Sequence, residues 1–340
     1  MHQAFDWKFE WFRLVNIDGS SSVALHRFAV MCVAATFVLI FVGGLVTSTG
    51  SALAVPDWPL AFGKFIPPLV GGVRFEWGHR LVAGMVTVLT AILAAWTCLK
   101  ERRRWVRLTA LAGVGLILLQ AVLGGLTVLM LLPLPLAVAH AATAQAFFCL
   151  MIAMASFTRP NFGRAYCESR RSSQARSLVG IATATTIAIY VQILIGAVMR
   201  HLGAGLAIPD FPTSYGHLIP PFHSLAIDIN FAHRCGAVVV ATLASWTFFR
   251  AARYYPGTQP FRSALLMLGL TVLQITLGAL TVWSGRAVIP TTAHVAVGAA
   301  VLGASVAVLI RAHEIRALNI SRDFASSPSK VELLARQVSG

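Results

Sequence analysis

The sequence predicts an all-α integral membrane protein in which eight transmembrane helices form two tandem four-helix bundles, a parallel repeat with the N- and C-termini in the cytoplasm. Three observations predict this class. The chain of 340 residues is 57% hydrophobic and only 11% charged, so it has more apolar surface than a water-soluble domain can hide. Its apolar stretches reach the roughly 20 residues that a helix needs to cross a bilayer. Motifs from the first half of the chain also return in the second half.

The apolar stretches are continuous and not alternating, which favours helices over a membrane barrel. The eight spans are expected at residues 26–48, 77–98, 106–130, 136–157, 178–200, 230–250, 262–284 and 290–312. They divide the chain into a cytoplasmic N-terminal interfacial segment (1–25), an N-terminal four-helix unit (26–157), a basic cytoplasmic linker (158–177), a C-terminal four-helix unit (178–312) and a polar cytoplasmic tail (313–340). The opening letters FDWKFEWF are typical of an aromatic anchor on a membrane surface.

The formal net charge of +15 is explained by membrane topology, so no nucleic-acid partner is expected. Most of the 27 lysines and arginines lie in the N-terminal segment, in the loops after the second, fourth and sixth spans, and in the tail. The loops on the other side hold only Lys64, Arg74, Arg200 and Arg286. The positive-inside rule therefore places both termini in the cytoplasm. Because the N-terminal segment has Asp6 and Glu10 and no transit-peptide character, we expect a multi-pass protein of the bacterial plasma (inner) membrane.

The five cysteines predict neither a disulfide nor a metal site. They are Cys32, Cys98, Cys149, Cys167 and Cys235. None falls in an external loop, and their spacing matches no metal-binding pattern.

Two external loops show the repeat most clearly. GSALAVPDWPLAFGKFIPP begins at Gly50 and GAGLAIPDFPTSYGHLIPP begins at Gly203, an offset of 153 positions. The offset becomes 154 between EWGHR and NFAHR and stays 154 between AVAHAATAQ and TTAHVAVGA. Since each unit has an even number of spans, both units insert in the same orientation, as in a parallel repeat. We interpret the paired turns PDWP and PDFP as structural lids. The alternative is that Asp57 or Trp58 contacts a substrate directly.

Four histidines lie well inside the predicted spans: His79, His140, His233 and His294. Each is within about two turns of the outer end of its helix, so all four lie at one depth. A single membrane histidine is usually a hydrogen-bonding partner between helices. Matched pairs on parallel helices instead favour two imidazoles per bundle as axial heme ligands, and small residues in VLGGLTV and TLGALTV leave room for a macrocycle. Zinc fits less well, because its sites need more protein ligands.

At one matched position the first unit has a charged residue and the second unit has a neutral one. Glu76 lies three residues before His79, whereas Asn230 holds the same position before His233. A carboxylate can accept a proton or stabilise a developing cation. We therefore interpret the first unit as the reaction site and the second as the holder of a permanent redox heme. The alternative is that Glu76 only pairs with a neighbouring arginine.

Polar residues near the histidines extend this hypothesis. Arg80 and Arg234 each directly follow a candidate ligand. Their guanidinium groups are expected either to bind the carboxylates of a heme or to extend to the lipid headgroups. Gln120 and Gln274 are expected to form hydrogen bonds between helices.

These motifs together resemble the heme A synthase family. The resemblance rests on GGLVTSTGSALAVPDWP, EWGHR, AVAHAATAQ, NFAHR and TTAHVAVGA, and it covers residues 26–312. It implies an oxidoreductase that converts the ring D (C8) methyl group of heme O into a formyl group, giving heme A for cytochrome oxidase biogenesis. It also implies the site residues: His233 and His294 as axial ligands of a heme b cofactor, His79 and His140 at the iron of the substrate heme with Arg80 beside it, and Glu76 as the catalytic carboxylate.

The same resemblance implies heme O synthase, cytochrome oxidase assembly factors and the lipid bilayer as partners, and leaves a homo-oligomer open. One feature departs from the family, because many members carry a cysteine pair in the first external loop and residues 50–75 contain none. The alternative function is a non-catalytic diheme b-type membrane protein that transfers electrons from quinol. It predicts two permanently bound hemes and no requirement for Glu76.

Overall fold

The computed structural model describes residues 22–160, 162–163 and 172–326, and over these residues the chain is helical with no β-sheet. The long helices are α1 (Val23–Ser48), α2 (Val73–Lys100), α3 (Arg104–Leu129), α4 (Leu134–Phe157), α5 (Ser172–His201), α6 (Leu225–Tyr254), α7 (Gln259–Trp283) and α8 (Val288–Ser326). All eight contain a segment long and apolar enough to cross a membrane. The prediction of an all-α protein with eight candidate spans is confirmed.

Several helices run beyond the predicted spans, because a helix does not stop where the hydrocarbon core stops. α6 begins at Leu225, where the Ser224 side chain accepts a hydrogen bond from the Ile227 N–H as an N-cap. α8 continues to Ser326, well into the segment predicted as a polar tail. The predicted surface anchor at residues 5–12 lies outside the described residues, as do residues 161 and 164–171 of the basic linker.

The helices pack as two closed sets of four. In the first set α1 contacts α2, α2 contacts α3, α3 contacts α4, and α4 returns to α1. Helices α5 to α8 make the same circuit. The sets meet where α8 touches α1 and α4 and where α4 touches α5, which leaves α8 the most buried span. The relation of the two sets as a parallel repeat, the domain boundaries and the cytoplasmic placement of the termini stay predictions.

The apolar core of each set lies away from the long loops at residues 49–72 and 202–224. In the first set it includes Leu25, Leu93, Phe147 and Met154, which are nearly or fully buried. Large apolar side chains on the outside of the bundle, such as Val88 and Phe249, are exposed and suit contact with lipid tails. The end of the protein that bears the two long loops is here called the long-loop end. Because the apolar core lies elsewhere, polar side chains can lie between the helices at this end.

An ion pair ties the two sets together at the opposite end. Arg159, just after α4, donates from Nη2 to Glu314 Oε1 of α8 at 2.7 Å, and the Gly163 N–H donates to the same oxygen at 2.9 Å. Glu314 is only 7% exposed, so a residue that the sequence placed in a polar tail is part of the folded helix.

Candidate functional site

Four histidine side chains lie between the helices near the long-loop end, six to eight residues after their helices begin. Each ring packs on a glycine of the preceding helix: His79 on Gly43, His140 on Gly124, His233 on Gly196 and His294 on Gly278. A Cβ atom built on these glycines would lie only 2.9 to 3.1 Å from the ring Cε1 atom. Any larger residue would displace the imidazole, so the glycines keep each ring at its depth between two helices.

The histidines of the second set face each other. The ring centroids of His233 and His294 are 6.3 Å apart, with the ring planes at 70°. An imidazole nitrogen bonds a metal at about 2.0 Å, so rings at this spacing could both contribute a nitrogen to one metal ion. Among the described residues no group of three or more His, Cys, Asp or Glu side chains could hold a metal ion; the bundle offers pairs, which is the axial ligand set of a bis-histidine heme.

Side-chain amides hold both rings of this second pair. His294 Nδ1 lies 3.1 Å from the Gln274 carbonyl oxygen and therefore donates to it, while the Gln274 side-chain amide lies 3.3 Å from His294 Nε2 and donates to that nitrogen. The Gln192 side-chain amide lies 3.0 Å from His233 Nδ1 and donates to the His233 carbonyl at 2.7 Å. Polar partners of this kind orient metal-binding imidazoles. Gln274 confirms its predicted role between helices, whereas Gln192 was missed by sequence reasoning.

The histidines of the first set are less restrained. His79 and His140 pack on Gly43 and Gly124, but the buried Nδ1 atom of each has no hydrogen-bond partner among the described residues. Gln120 bridges α3 and α4 as predicted, although its Nε2 donates to the His140 carbonyl oxygen at 3.0 Å and not to the ring. The position that matches Gln192 at the offset of 153 is the apolar Leu39. The two pairs thus differ in how firmly their rings are held.

Glu76 and Arg80 clamp the first long loop. Arg80 Nη1 donates to the carbonyl oxygens of Asp57 and Leu60 at 2.7 and 2.9 Å, and its Nη2 contacts Glu76 Oε1 at 2.6 Å. The second carboxylate oxygen of Glu76 accepts the Val55 N–H at 2.8 Å, and Glu76 is only 4% exposed. The pairing that the sequence left open is therefore with Arg80. Contact of Arg80 with a heme stays a prediction.

The second long loop is held by the same contacts without a carboxylate. Arg234 donates to the carbonyl oxygens of Thr213 and Ile208 at 2.7 and 3.0 Å, and its Nε donates to Asn230 Oδ1 at 3.0 Å. Asn230 Nδ2 in turn donates to the Ala204 carbonyl at 2.8 Å. Because a neutral amide holds this loop, the charge of Glu76 is more than the loop clamp requires.

The two Pro-Asp-aromatic-Pro turns are built around their aspartates. Asp57 accepts the Phe62 and Gly63 N–H groups at 2.7 and 2.8 Å. The Gly63 and Phe62 N–H donors hold the pKa of Asp57 below its usual value of 3.8. In the second loop, the Gly216 N–H is the main cause that lowers the pKa of Asp210. Both side chains therefore have a structural role in the turns.

Trp58 fixes the first turn to the helix bundle. A Cβ atom built on Gly125 of α3 would lie 2.6 Å from Cδ2 of the Trp58 ring, so the indole packs directly on the α3 backbone. The matching residue of the second set is Ala279, where the smaller Phe211 ring packs beside Trp283. The larger ring of the first loop thus packs on a glycine, whereas the smaller ring of the second loop packs beside a tryptophan.

We expect Gly125→Ala to destabilise the protein, because the added methyl group cannot fit against Trp58. The cost of overpacking is about 1–3 kcal/mol, measured as a lower thermal unfolding temperature in detergent. Gly115→Ala on the same helix is the control, since a Cβ atom there meets nothing within 4 Å. Equal unfolding temperatures for the two variants would contradict this packing.

The site lies within a region that matches a known protein family. Residues 73–306, which include Glu76 and all four histidines, match the COX15-CtaA family, described as cytochrome oxidase assembly protein. The chain belongs to this family. It is 30% identical to the heme A synthase of Symbiobacterium thermophilum over 76% of this chain and 84% of the relative. It is also 30% identical to that of Shouchella clausii, over 67% and 78%, and 29% identical to that of Bacillus licheniformis, over 74% and 83%.

Membership of the COX15-CtaA family agrees with the resemblance read from the motifs. These relatives come from bacteria, and with eight candidate spans the chain is a multi-pass bacterial membrane protein. The four described cysteines, Cys32, Cys98, Cys149 and Cys235, are free thiols; Cys167 lies outside the described residues.

Proposed function

We propose that this protein is a heme A synthase of the bacterial plasma membrane, which oxidises the ring D methyl group of heme O to a formyl group. The observation that carries the proposal is the difference between two otherwise similar histidine pairs. The second pair is oriented by Gln192 and Gln274, as suits a permanently bound group. The first pair has unpartnered ring nitrogens beside a buried carboxylate, as suits a substrate that must enter and leave.

In this proposal the two helix sets are tandem units with different tasks. His233 and His294 hold heme b, which when bound would supply one-electron transfer. His79 and His140 contact the iron of the substrate heme. A groove of about 580 Å³ lies between the first loop and α2. Arg80 lines it together with apolar side chains such as Phe65 and Met85, whereas Glu76 and the four histidines do not line it.

Glu76 acts during oxidation of the methyl group. In each of two stages one C–H bond breaks, the carbon gives up two electrons to an external electron acceptor and one proton, and a water adds as hydroxyl while releasing its second proton; the first stage gives the hydroxymethyl group and the second gives the geminal diol. The diol loses water to give the formyl group. A buried carboxylate stabilises positive charge that develops at the carbon and accepts a proton as water adds. The Arg80 contact holds this carboxylate in place.

Extraction of the pigments from purified protein tests the proposal. Heme O and heme A bound beside heme b would support the synthase. Two equivalents of heme b for each chain, with neither heme O nor heme A, would support the alternative of a diheme electron-transfer protein and overturn the synthase.

The amide that orients His233 provides a second prediction. Gln192→Leu reproduces the residue of the first unit and removes the amide partner of the ring. Loss of such a partner typically weakens metal binding 10–100-fold, so we expect heme b to be lost more readily during purification. The measurement is heme content per chain after extensive washing. Tyr190→Phe on the same helix is the control, because it removes only the hydrogen bond to the Ala142 carbonyl; equal heme content in the two variants would contradict the role of Gln192.

A further inference from the structure

Two arginines lie together at the long-loop end of the second helix set. Arg200 is in the last turn of α5, and Arg286 follows the end of α7 with its Cδ atom 3.6 Å from a Cβ built on Gly205. Gly205 lies in the short 3₁₀ turn Ala204–Leu206 that follows α5, so the Arg286 side chain packs on the segment directly after Arg200. Within the described part of the chain neither guanidinium group has a carboxylate partner at ion-pair distance. Two like charges kept together without an acid leave a site with excess positive charge.

Arg200 is held in place with hydrogen-bonding capacity to spare. Its Nη2 donates to Ser48 Oγ at 2.9 Å and to the Gly44 carbonyl at 3.2 Å, both on α1. Its Nε and Nη1 atoms have no hydrogen-bond acceptor among the residues that the structure describes. A Cβ atom built on Gly44, whose carbonyl oxygen accepts from Arg200, would lie 3.3 Å from Val295 Cγ1, and Val295 directly follows His294 on α8. A guanidinium group is thus fixed beside the histidine pair with donors unused, in the geometry that binds carboxylates.

The first helix set has no such charge. The residues that match Arg200 and Arg286 at offsets of 153 and 154 are Thr47 and Leu132. Leu132 and Arg286 both have positive φ, at 60° and 68°. Their N–H groups close the same helix end, donating at 2.7 Å to Thr127 and at 2.8 Å to Thr281. Since the turn forms equally with leucine, the backbone does not require the Arg286 side chain.

The sequence suggested Arg80 and Arg234 for binding heme carboxylates, but both side chains already form other hydrogen bonds. Arg80 and Arg234 use their guanidinium groups on loop carbonyl oxygens and on Glu76 or Asn230. The available cations therefore lie at Arg200 and Arg286 in the second unit, whereas the additional anion, Glu76, lies in the first.

We infer that Arg200 and Arg286 form an oxyanion site that binds the carboxylate groups of the heme held between His233 and His294. This inference rests on the proposed function. Positive charge beside a heme stabilises the ferrous form relative to the ferric form, because the ferrous form carries one positive charge fewer. The two arginines would thus both anchor the heme edge and raise its reduction potential.

Redox titration of the full-length, heme-loaded protein tests the site in Arg200→Gln and Arg286→Gln. We expect the low-spin heme spectrum to remain and the ferrous-to-ferric ratio at a fixed potential to fall about tenfold, equal to about 59 mV for one electron. Arg74→Gln is the matched control, because Arg74 is an exposed arginine at the same end that lies over the Phe75 ring. Arg286→Gln leaves the α1 contacts of Arg200 intact and so separates lost charge from lost packing.

The outcomes distinguish this site from the proposed function. A retained low-spin heme with an unchanged potential in both variants overturns the oxyanion site alone. The absence of a low-spin heme from the wild-type protein overturns the proposed function, and the site with it. Inorganic phosphate added to the loaded wild-type protein is expected to leave the potential unchanged. A shift caused by phosphate that disappears in Arg200→Gln would show a site open to free oxyanions and would overturn its assignment to heme carboxylates.

Discussion

Glu76→Gln is expected to abolish heme A formation while heme b stays bound. Glutamine keeps the size and hydrogen-bonding capacity of the side chain, and Asn230 shows that a neutral amide can hold a loop arginine. The variant should therefore fold and load the second site normally. It lacks the buried negative charge, and acid–base catalysis by one group contributes roughly 10²–10⁴-fold, so we expect heme A yield to fall at least about 100-fold. The measurement is the ratio of heme A to heme O in extracted pigments.

Two control variants make this result specific. Arg74→Gln removes a charge two residues from Glu76 outside the clamp and should leave the yield of heme A unchanged. Asn230→Asp adds a carboxylate at the matching position of the second unit and should not restore activity to Glu76→Gln. Undiminished heme A in Glu76→Gln would restrict Glu76 to holding the loop and would favour the diheme electron-transfer protein.

The sequence predicted the helices well because membrane spans depend mainly on length and apolarity. Every predicted span lies mostly within an observed helix, and the errors fall at the ends. α6 begins at Leu225, before the predicted span, because Ser224 caps it. α8 continues past residue 312, where Glu314 forms an ion pair with Arg159 across the interface between the helix sets. Such contacts depend on tertiary packing, which a hydropathy pattern does not describe.

The histidines were also found from the sequence, since four ionisable residues in matched spans are conspicuous. The direction of the arginine side chains was not. Arg80 and Arg234 point at carbonyl groups that converge only after each loop has folded back over its helix. Gln192 was missed by sequence reasoning although the sequence contains the signal. At the offset of 153 it matches the apolar Leu39, and this difference between the units is as clear as that between Asn230 and Glu76.

Several departures from the repeat fit the division of tasks that we propose for the two units. The first unit has an additional acid at Glu76 and unpartnered imidazole nitrogens, which suit chemistry on an exchangeable substrate. The second unit has an additional amide at Gln192 and the two arginines Arg200 and Arg286, which suit retention of a bound anionic group. Under the proposed function, a few substitutions on a common helix framework would separate the reaction from electron transfer.

His233→Ala is expected to remove the low-spin heme b spectrum entirely. The 6.3 Å spacing of the His233 and His294 centroids allows one iron between them, and alanine leaves that iron with a single protein ligand. The Gly196 backbone against which the ring packs would then face a cavity. The measurement is the reduced-minus-oxidised absorption spectrum, together with heme content per chain.

The matched variant His79→Ala separates the two sites, because it makes the same change on a ring that packs on Gly43 in the first unit. It should keep the low-spin spectrum and lose heme A formation, since heme b is held elsewhere. Addition of imidazole should restore part of the low-spin signal to His233→Ala, because a free imidazole can occupy the cavity left by the side chain and ligate the iron. A low-spin spectrum that survives His233→Ala but disappears in His79→Ala would exchange the roles of the two units, with the permanent heme in the first and the substrate in the second.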